Sequence, residues 1–340
     1  MNDTVRIGIV GAGAVVQVAH LPVLKKFKGV QVTGLCDNDQ PKAQAIGQRY
    51  GIADAYDDIE DLLAADEVDA VAICTPNHMH EVHIQAALSA GVHVLVEKPL
   101  ATTTAGVQKV LRAAEKAREK RGQVLMVGMN HRYRPDAQAV RSFVQSGELG
   151  EVTSVRGSWH VFKPARAMLG WRRKVELSGG GAMLDLGLSV VDLSLWLAGR
   201  LTPVRVSAVL ERPDRKDAVE EAGSAFVVCE EGAAIFVDVT WHHVGEGERF
   251  GVGIRGTRGS AGINPLHVWK EMHGAPVDVT PTGGGSRESQ FTAAFRAEWA
   301  HFLAAIRGEA KAPDLAEQLV LHRIVEAIYK SAADGKDVTL

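Results

Sequence analysis

The sequence predicts an α/β domain with a parallel sheet over residues 1–130, then an α+β domain over 131–340 with a large, mostly antiparallel open sheet. Three observations carry this expectation. Residues 4 to 130 alternate short β-branched runs with longer helical patterns. Beyond Pro135, strand-like segments follow one another with turn signals between them. The 340 residues provide for two cores at about 150 residues per domain.

The five strand candidates of the first domain are Val5 to Val10, Val30 to Cys36, Val68 to Cys74, Val92 to Val96 and Val124 to Met129. They are apolar along nearly their whole length, as strands buried on both faces of a parallel sheet must be. Asp57 or Asp58 is the expected N-cap of one intervening helix, and a residue of Thr102 to Thr104 that of a long helix ending at Gly122. In the second domain a helix runs from Pro135 to Ser146-Gly147. Strands are then expected at 152–162, 203–210, 223–229, 232–241 and 250–256, hairpin-linked and therefore largely antiparallel. Helical patterns at about 290–307 and 314–333 close the chain, with an expectation that they pack back on the first domain. Gly283 to Ser286 reads as a mobile loop.

Composition narrows the function. Apolar residues make up 46% and charged residues 23%, with a formal net charge of −3, so the basic excess that a nucleic-acid partner demands is missing. Cys36, Cys74 and Cys229 are odd in number, far apart and set in apolar runs, which reads as buried reduced thiols in a cytoplasmic, reducing setting. Met1-Asn2-Asp3-Thr4 enters a strand with none of the character of a signal peptide. No apolar stretch reads as long enough to span a bilayer, so no membrane association is expected.

Strand Val5 to Val10 leads into Gly11-Ala12-Gly13-Ala14-Val15-Val16 and then an amphipathic helix. This is where a dinucleotide fingerprint must lie to set a pyrophosphate on a helix N-terminus. Gly11 permits the tight turn and Gly13 a close backbone approach, while Val16 replaces the third small residue of the pattern. Asp37 ends the second strand 24 residues after Gly13, where a carboxylate accepts ribose hydroxyls and repels a 2′-phosphate. NAD is therefore preferred over NADP.

Thr75-Pro76-Asn77-His78-Met79-His80 and Glu97-Lys98-Pro99 resemble the glucose-fructose oxidoreductase, inositol dehydrogenase and rhizopine-catabolism (Gfo/Idh/MocA) family. The likeness continues through Gly128 to Tyr133, Ser146 to Gly150, Gly179-Gly180-Gly181 to Asp192 and the closing helices. It implies a Rossmann domain joined to an open-sheet domain, with homo-oligomers (dimer or tetramer) formed through that sheet. It also implies a cofactor site lined by Thr75, Pro76, Asn77 and His80, with Glu97, Lys98 and Asn130 beside them, and hydride transfer to or from a sugar, polyol or sugar derivative. Lys98 is the leading catalytic candidate. Proline restricts the residue before it, and the Lys-Pro bond can be cis, so the amine is aimed with little freedom and can exchange a proton with a substrate hydroxyl.

The segment Ala182 to Asp192 is apolar nearly all round and is expected to be a buried helix. Asp185, Ser189 and Asp192 fall on one stripe at i, i+4 and i+7. The family places Asp, His and Asp there, so Asp185 and Asp192 are catalytic candidates and Ser189 stands where a histidine acid/base is expected. A serine does not take up a proton near neutral pH unaided. Lys98 acting alone, a histidine from elsewhere (His160, His242 or His243), or cofactor binding without turnover remain open. Trp171, Arg172 and Arg173 are substrate-side candidates, as are His160 and Ser189. Trp159 and His160 point to opposite faces of one strand. His78, His80 and His83 lack the spacing and the fourth ligand of a metal site, and no metal is expected. Two rivals to a dehydrogenase stay in view: a redox-assisted glycosidase or lyase, and a non-catalytic dinucleotide-binding sensor.

Overall fold

The computed structural model describes residues 4–163, 170–199, 201–213, 218–282 and 288–340. The segment Gly283 to Ser286 lies outside the described residues. Two compact units are present, one of residues 1–130 and 291–319, the other of residues 131–290 and 320–340.

The first unit is built on a six-stranded parallel sheet. Its strands are β1 (Val5–Val10), β2 (Val30–Cys36), β3 (Asp54–Tyr56), β4 (Ala70–Ile73), β5 (His93–Glu97) and β6 (Leu125–Gly128), in the order β3-β2-β1-β4-β5-β6. Every residue of β4 is buried, as the continuous apolar run implies. Helices α1 (Leu21–Leu24), α2 (Gln40–Tyr50), α3 (Ile59–Ala64), α4 (His80–Ala90) and α5 (Thr104–Arg121) connect the strands. The Asp58 carboxylate caps α3 by accepting from the Glu60 N–H, the Thr103 hydroxyl caps α5 by accepting from the Gly106 N–H, and Gly122 ends α5 at a φ of 67°. Each cap satisfies an amide or carbonyl that the helix end leaves open.

The second unit carries a nine-stranded sheet. Its elements are α6 (Pro135–Gln145), β7 (Val152–His160), α7 (Val175–Ser178), α8 (Leu188–Ala198), β8 (Pro203–Glu211), β9 (Ala222–Cys229), β10 (Ala234–Thr240), β11 (Arg249–Gly256), β12 (Gly259–Ile263), β13 (His267–Met272) and β14 (Ala275–Asp278). Helices α9 (Gln290–Ile306) and α10 (Ala316–Asp334) and strand β15 (Val338–Thr339) end the chain. Strand order is β14-β13-β12-β11-β7-β10-β9-β8-β15, and all neighbours are antiparallel except β7 and β10. The exception follows from topology: β8, β9 and β10 form two hairpin steps that end beside β7, which leaves β10 running with β7. Val155, Val237, Val239, Val252 and Ile254 face inward and are buried, and α8 packs on β7 and β11.

The expectation that no stretch is apolar and long enough for a membrane needs correction. Val175–Ala198 passes that test by length and composition, yet 83% of its most apolar window is buried inside the protein. It is a core segment interrupted at Gly179-Gly180-Gly181, and its hydropathy is explained by packing against the sheet. The turn is held by Glu220, whose carboxylate accepts from the Gly181 N–H at 2.9 Å, the Met183 N–H at 2.9 Å and the Tyr329 hydroxyl at 2.7 Å. Only glycine fits at 181, because a Cβ there would lie 1.9 Å from the Glu220 carbonyl oxygen. Cys36, Cys74 and Cys229 are all free thiols.

Candidate functional site

In the first unit the selected residues gather at the carboxyl edge of one sheet. Strand order reverses between β1 and β4, which is the switch point where open α/β sheets bind ligands. Gly11 follows β1 with φ at +98°, and a Cβ on it would stand 2.6 Å from the Cys74 carbonyl oxygen. A Cβ on Gly13 would meet nothing within 4 Å, so the backbone there is open to a phosphate. The chain is helical from Ala14 through Val15 and runs through a π-turn, Val16–His20, into α1. Val16 is fully buried and packs as core where the motif prefers a small residue. These features fit a dinucleotide.

Asp37 follows β2 and is buried. One oxygen accepts from the Ala12 N–H at 2.7 Å, and the other from the Asp39 N–H at 3.0 Å and the Lys42 ammonium at 2.8 Å. Burial pushes this carboxyl up, but those three donors outweigh it and hold it below the usual range. It is thus a fixed anion at the strand end, tied to the turn that carries Gly11 and Gly13. Asp37→Asn keeps the shape and loses the charge. A lost hydrogen bond to a charged group corresponds to about 1.5–3 kcal/mol, or roughly 10- to 100-fold in affinity. Fluorescence titration is expected to show NADH affinity falling by that factor, while NADPH affinity holds or rises.

Thr75, Pro76 and Asn77 follow β4, and Glu97 and Lys98 close β5, with the Lys98-Pro99 bond cis. His80 lies between the two loops, its Nδ1 2.7 Å from the Pro99 carbonyl oxygen and its Nε2 3.0 Å from that of Thr75. Burial keeps this imidazole below its ordinary pKa. His83 Nδ1 is 3.1 Å from the Thr75 hydroxyl, and burial pushes its pKa down to about 4. Both histidines therefore brace the loops from inside. Among the described residues no three His, Cys, Asp or Glu side chains converge as metal ligands. Asn130 follows β6 on the same sheet.

The second unit brings together a cluster that the sequence only half discloses. Asp185 lies in a second π-turn, Met183–Gly187, which leads into α8. Its carboxylate is ion-paired with Lys163 and accepts from the Trp241 indole N–H at 3.1 Å. The Lys163 ammonium also stands 5.2 Å from the centre of the Trp241 ring. Asp192 is 3% exposed and accepts from Arg132 Nε at 2.8 Å, with a second bond from the same guanidinium. Ser189 is buried. Asp185 therefore lies in the π-turn, and Ser189 and Asp192 lie in α8 itself. Asp185 remains about one-third exposed, whereas Asp192 does not.

The other candidates have partners of their own. Trp159 packs on the buried face against His131 and Phe250. His160 is on the opposite, open face, 2.7 Å from Asp238, which also accepts from Ser224, and His243 lies beside it. His242 pairs with Glu221 at 2.6 Å, and Arg173 approaches the same carboxylate at 3.6 Å. Arg172 stacks over Trp171 at 4.5 Å. His160, His242 and His243 are thus engaged by Asp238, Glu221 and the His160 ring respectively.

Residues 5–129 match the family model described as an oxidoreductase family with an NAD-binding Rossmann fold, and residues 137–262 match the GFO/IDH/MocA C-terminal domain. The chain belongs to the Gfo/Idh/MocA family. Among its relatives, D-glucoside 3-dehydrogenase of Escherichia coli is 26% identical, with 100% of this chain and 98% of that protein covered. D-apiose dehydrogenase of Paraburkholderia graminis is 27% identical over 94% of this chain and 86% of its own length. The crystal structure of an oxidoreductase domain protein from Kribbella flavida superposes with a TM-score of 0.89 at 25% identity, covering 100% of this chain and 99% of that one.

As a Gfo/Idh/MocA member the chain is an NAD-binding oxidoreductase. Sequence reasoning found its dinucleotide turn but missed Lys163, Trp241 and Arg132. A signal for Lys163 was present: Trp159, Val161 and Lys163 alternate onto one face of a strand, so the lysine follows two apolar residues inward. Arg132 gave none, since its partner Asp192 is 60 residues away.

Proposed function

We propose that this protein is an NAD-dependent dehydrogenase that oxidises a secondary hydroxyl of a sugar or sugar derivative, or reduces the matching ketone. The observation that carries the reading is Lys98, fixed after β5 beside Glu97 on the sheet edge that bears the Gly11–Gly13 turn and Asp37. The names of the sugar dehydrogenases among its relatives support the substrate class. Bound NAD would supply the hydride acceptor. Asp37 would hold its ribose, and the backbone from Gly13 to Val16 its phosphates. Lys98 would take the proton from the substrate hydroxyl at Nζ. In the second unit, the Asp185 carboxylate, held by Lys163 and the Trp241 indole N–H, would be an acceptor for sugar hydroxyls. In this reading Lys163 is the cationic group that makes up for serine at 189, and Asp192 holds α8 through Arg132.

The open face of the nine-stranded sheet is the surface we propose for self-association. Phe236 (37% exposed) and Trp269 (41% exposed) lie on it, as does Val209 at 74%. Phe226 packs beside Phe236, and Arg156 stacks over the same ring.

The test is NADH formation, followed by near-ultraviolet absorbance, with glycosides, free sugars, polyols and sugar acids. The expected result is one NADH per substrate oxidised for at least one sugar class. Cleavage of a glycoside without net NADH would favour the redox-assisted hydrolase, and NAD binding without turnover on any compound would favour a sensor.

A further inference from the structure

Behind Glu97, inside the first unit, is a line of buried polar groups that the reading above does not use. The Trp299 indole Nε1 is 3.0 Å from His20 Nδ1, and His20 Nε2 is 2.9 Å from Glu97 Oε1. Glu298, the neighbour of Trp299 on α9, is fully buried, and neither of its carboxyl oxygens has a hydrogen-bond partner among the described residues. We propose that Trp299, His20 and Glu298 are a positioning set that keeps Glu97 a single, fixed anion next to Lys98.

An indole N–H only donates, so His20 Nδ1 must accept. The one proton of the ring is then on Nε2, which donates to Glu97. A doubly protonated ring would turn an N–H toward the indole N–H, so the indole selects a neutral imidazole of one tautomer. Edge contacts from Phe295 at 5.2 Å and Trp299 at 5.8 Å hold the ring in that orientation. His20 itself is 1% exposed and sits in the π-turn that follows the dinucleotide loop.

Glu298 completes the arrangement. An ionised carboxylate with no partner in such a place costs far more than a protonated one. Burial and then the charge of Glu97 push Glu298 well above the ordinary carboxyl range. For Glu97, burial also acts upward, but the hydrogen bond from His20 Nε2 leads the influences that act downward, and the carboxyl stays below its usual value. The titratable groups around Glu97 are His20 from the π-turn, His80 from α4, Glu298 from α9, Cys74 after β4 and Lys98 itself. Cys74 is held as a thiol by burial and by the charge of Glu97. Two neighbouring carboxyls are thus divided by environment, one charged and one neutral, as in sites where acid and base roles are separated.

The importance assigned to Lys98 rests on the proposed dehydrogenase reading, but the proton arrangement can be measured without substrate. In the full-length wild-type protein, nitrogen-15 NMR near neutral pH is expected to show His20 protonated on Nε2 and unprotonated on Nδ1. Infrared spectra near neutral pH are expected to show a carboxylic-acid C=O band that shifts in D2O and is lost in Glu298→Gln. Carbon-13 NMR of labelled glutamates is expected to show the Glu97 midpoint rising in both Trp299→Phe and His20→Gln. A His20 ring protonated on Nδ1, the absence of the carboxylic-acid band, or a Glu97 midpoint unmoved in both variants would each overturn the proposal. Failure of the dehydrogenase reading would be seen separately, as no NADH from any sugar with these three signals intact.

Discussion

Lys98→Ala is expected to abolish nearly all turnover, lowering kcat by about 10²- to 10⁴-fold, the range for a positioned proton-transfer group. The affinity for NADH is expected to stay within about three-fold of wild type, because the Gly11–Gly13 turn and Asp37 would hold the phosphates and ribose. Steady-state kinetics on a responsive sugar, paired with NADH fluorescence titration, separates the two quantities. Lys98→Arg is not expected to rescue, since a guanidinium keeps the charge but does not release a proton. Lys163→Met supplies the contrast. If Lys163 only orients Asp185 and the substrate, its loss raises KM more than it lowers kcat. A fall in kcat as deep as that of Lys98→Ala would instead give Lys163 the proton-transfer role.

The dinucleotide half of this site was legible in the sequence because local rules govern it. A strand, a glycine turn, a helix and an acid at the next strand end occur in chain order, and each leaves its own residue signature. The five apolar strands of the first sheet were legible for the same reason. Strand β3 was not, since Asp54-Ala55-Tyr56 is too short to show a period. Nor were β13 and β14, where every residue of β14 is exposed and Pro276 interrupts the pattern, as edge strands tolerate. The parallel pairing of β7 with β10 was hidden by an order of strands that hairpins alone would make antiparallel. The Asp185 cluster was hidden more deeply. In a segment that is apolar on all sides, a change of helical pitch leaves no periodicity to detect, so the π-turn that carries Asp185 could only be seen in three dimensions. His20 and Trp299 are 279 residues apart, and no local pattern connects them.

Arg132→Met carries the largest expected effect on stability. Asp192 and Arg132 are almost wholly buried, with 4% and 11% of their side chains exposed, and the guanidinium binds the carboxylate through two nitrogens. Removing the arginine leaves the Asp192 charge in the core, an arrangement that costs about 3–5 kcal/mol. Since about 1 kcal/mol lowers Tm by roughly 2–4 °C in domains of this size, the melting temperature should drop by roughly 10 °C. Because the cost comes from the stranded charge, the double variant Arg132→Met, Asp192→Leu is expected to recover most of the loss, with a large coupling term in a double-mutant cycle. The same pair decides what Asp192 does. If Asp192 reacts with substrate, Asp192→Asn at a temperature where it remains folded loses kcat by about 10²-fold or more. If it holds α8 in place through Arg132, as its burial and bidentate contact argue, that variant loses less than about ten-fold in kcat while its Tm falls.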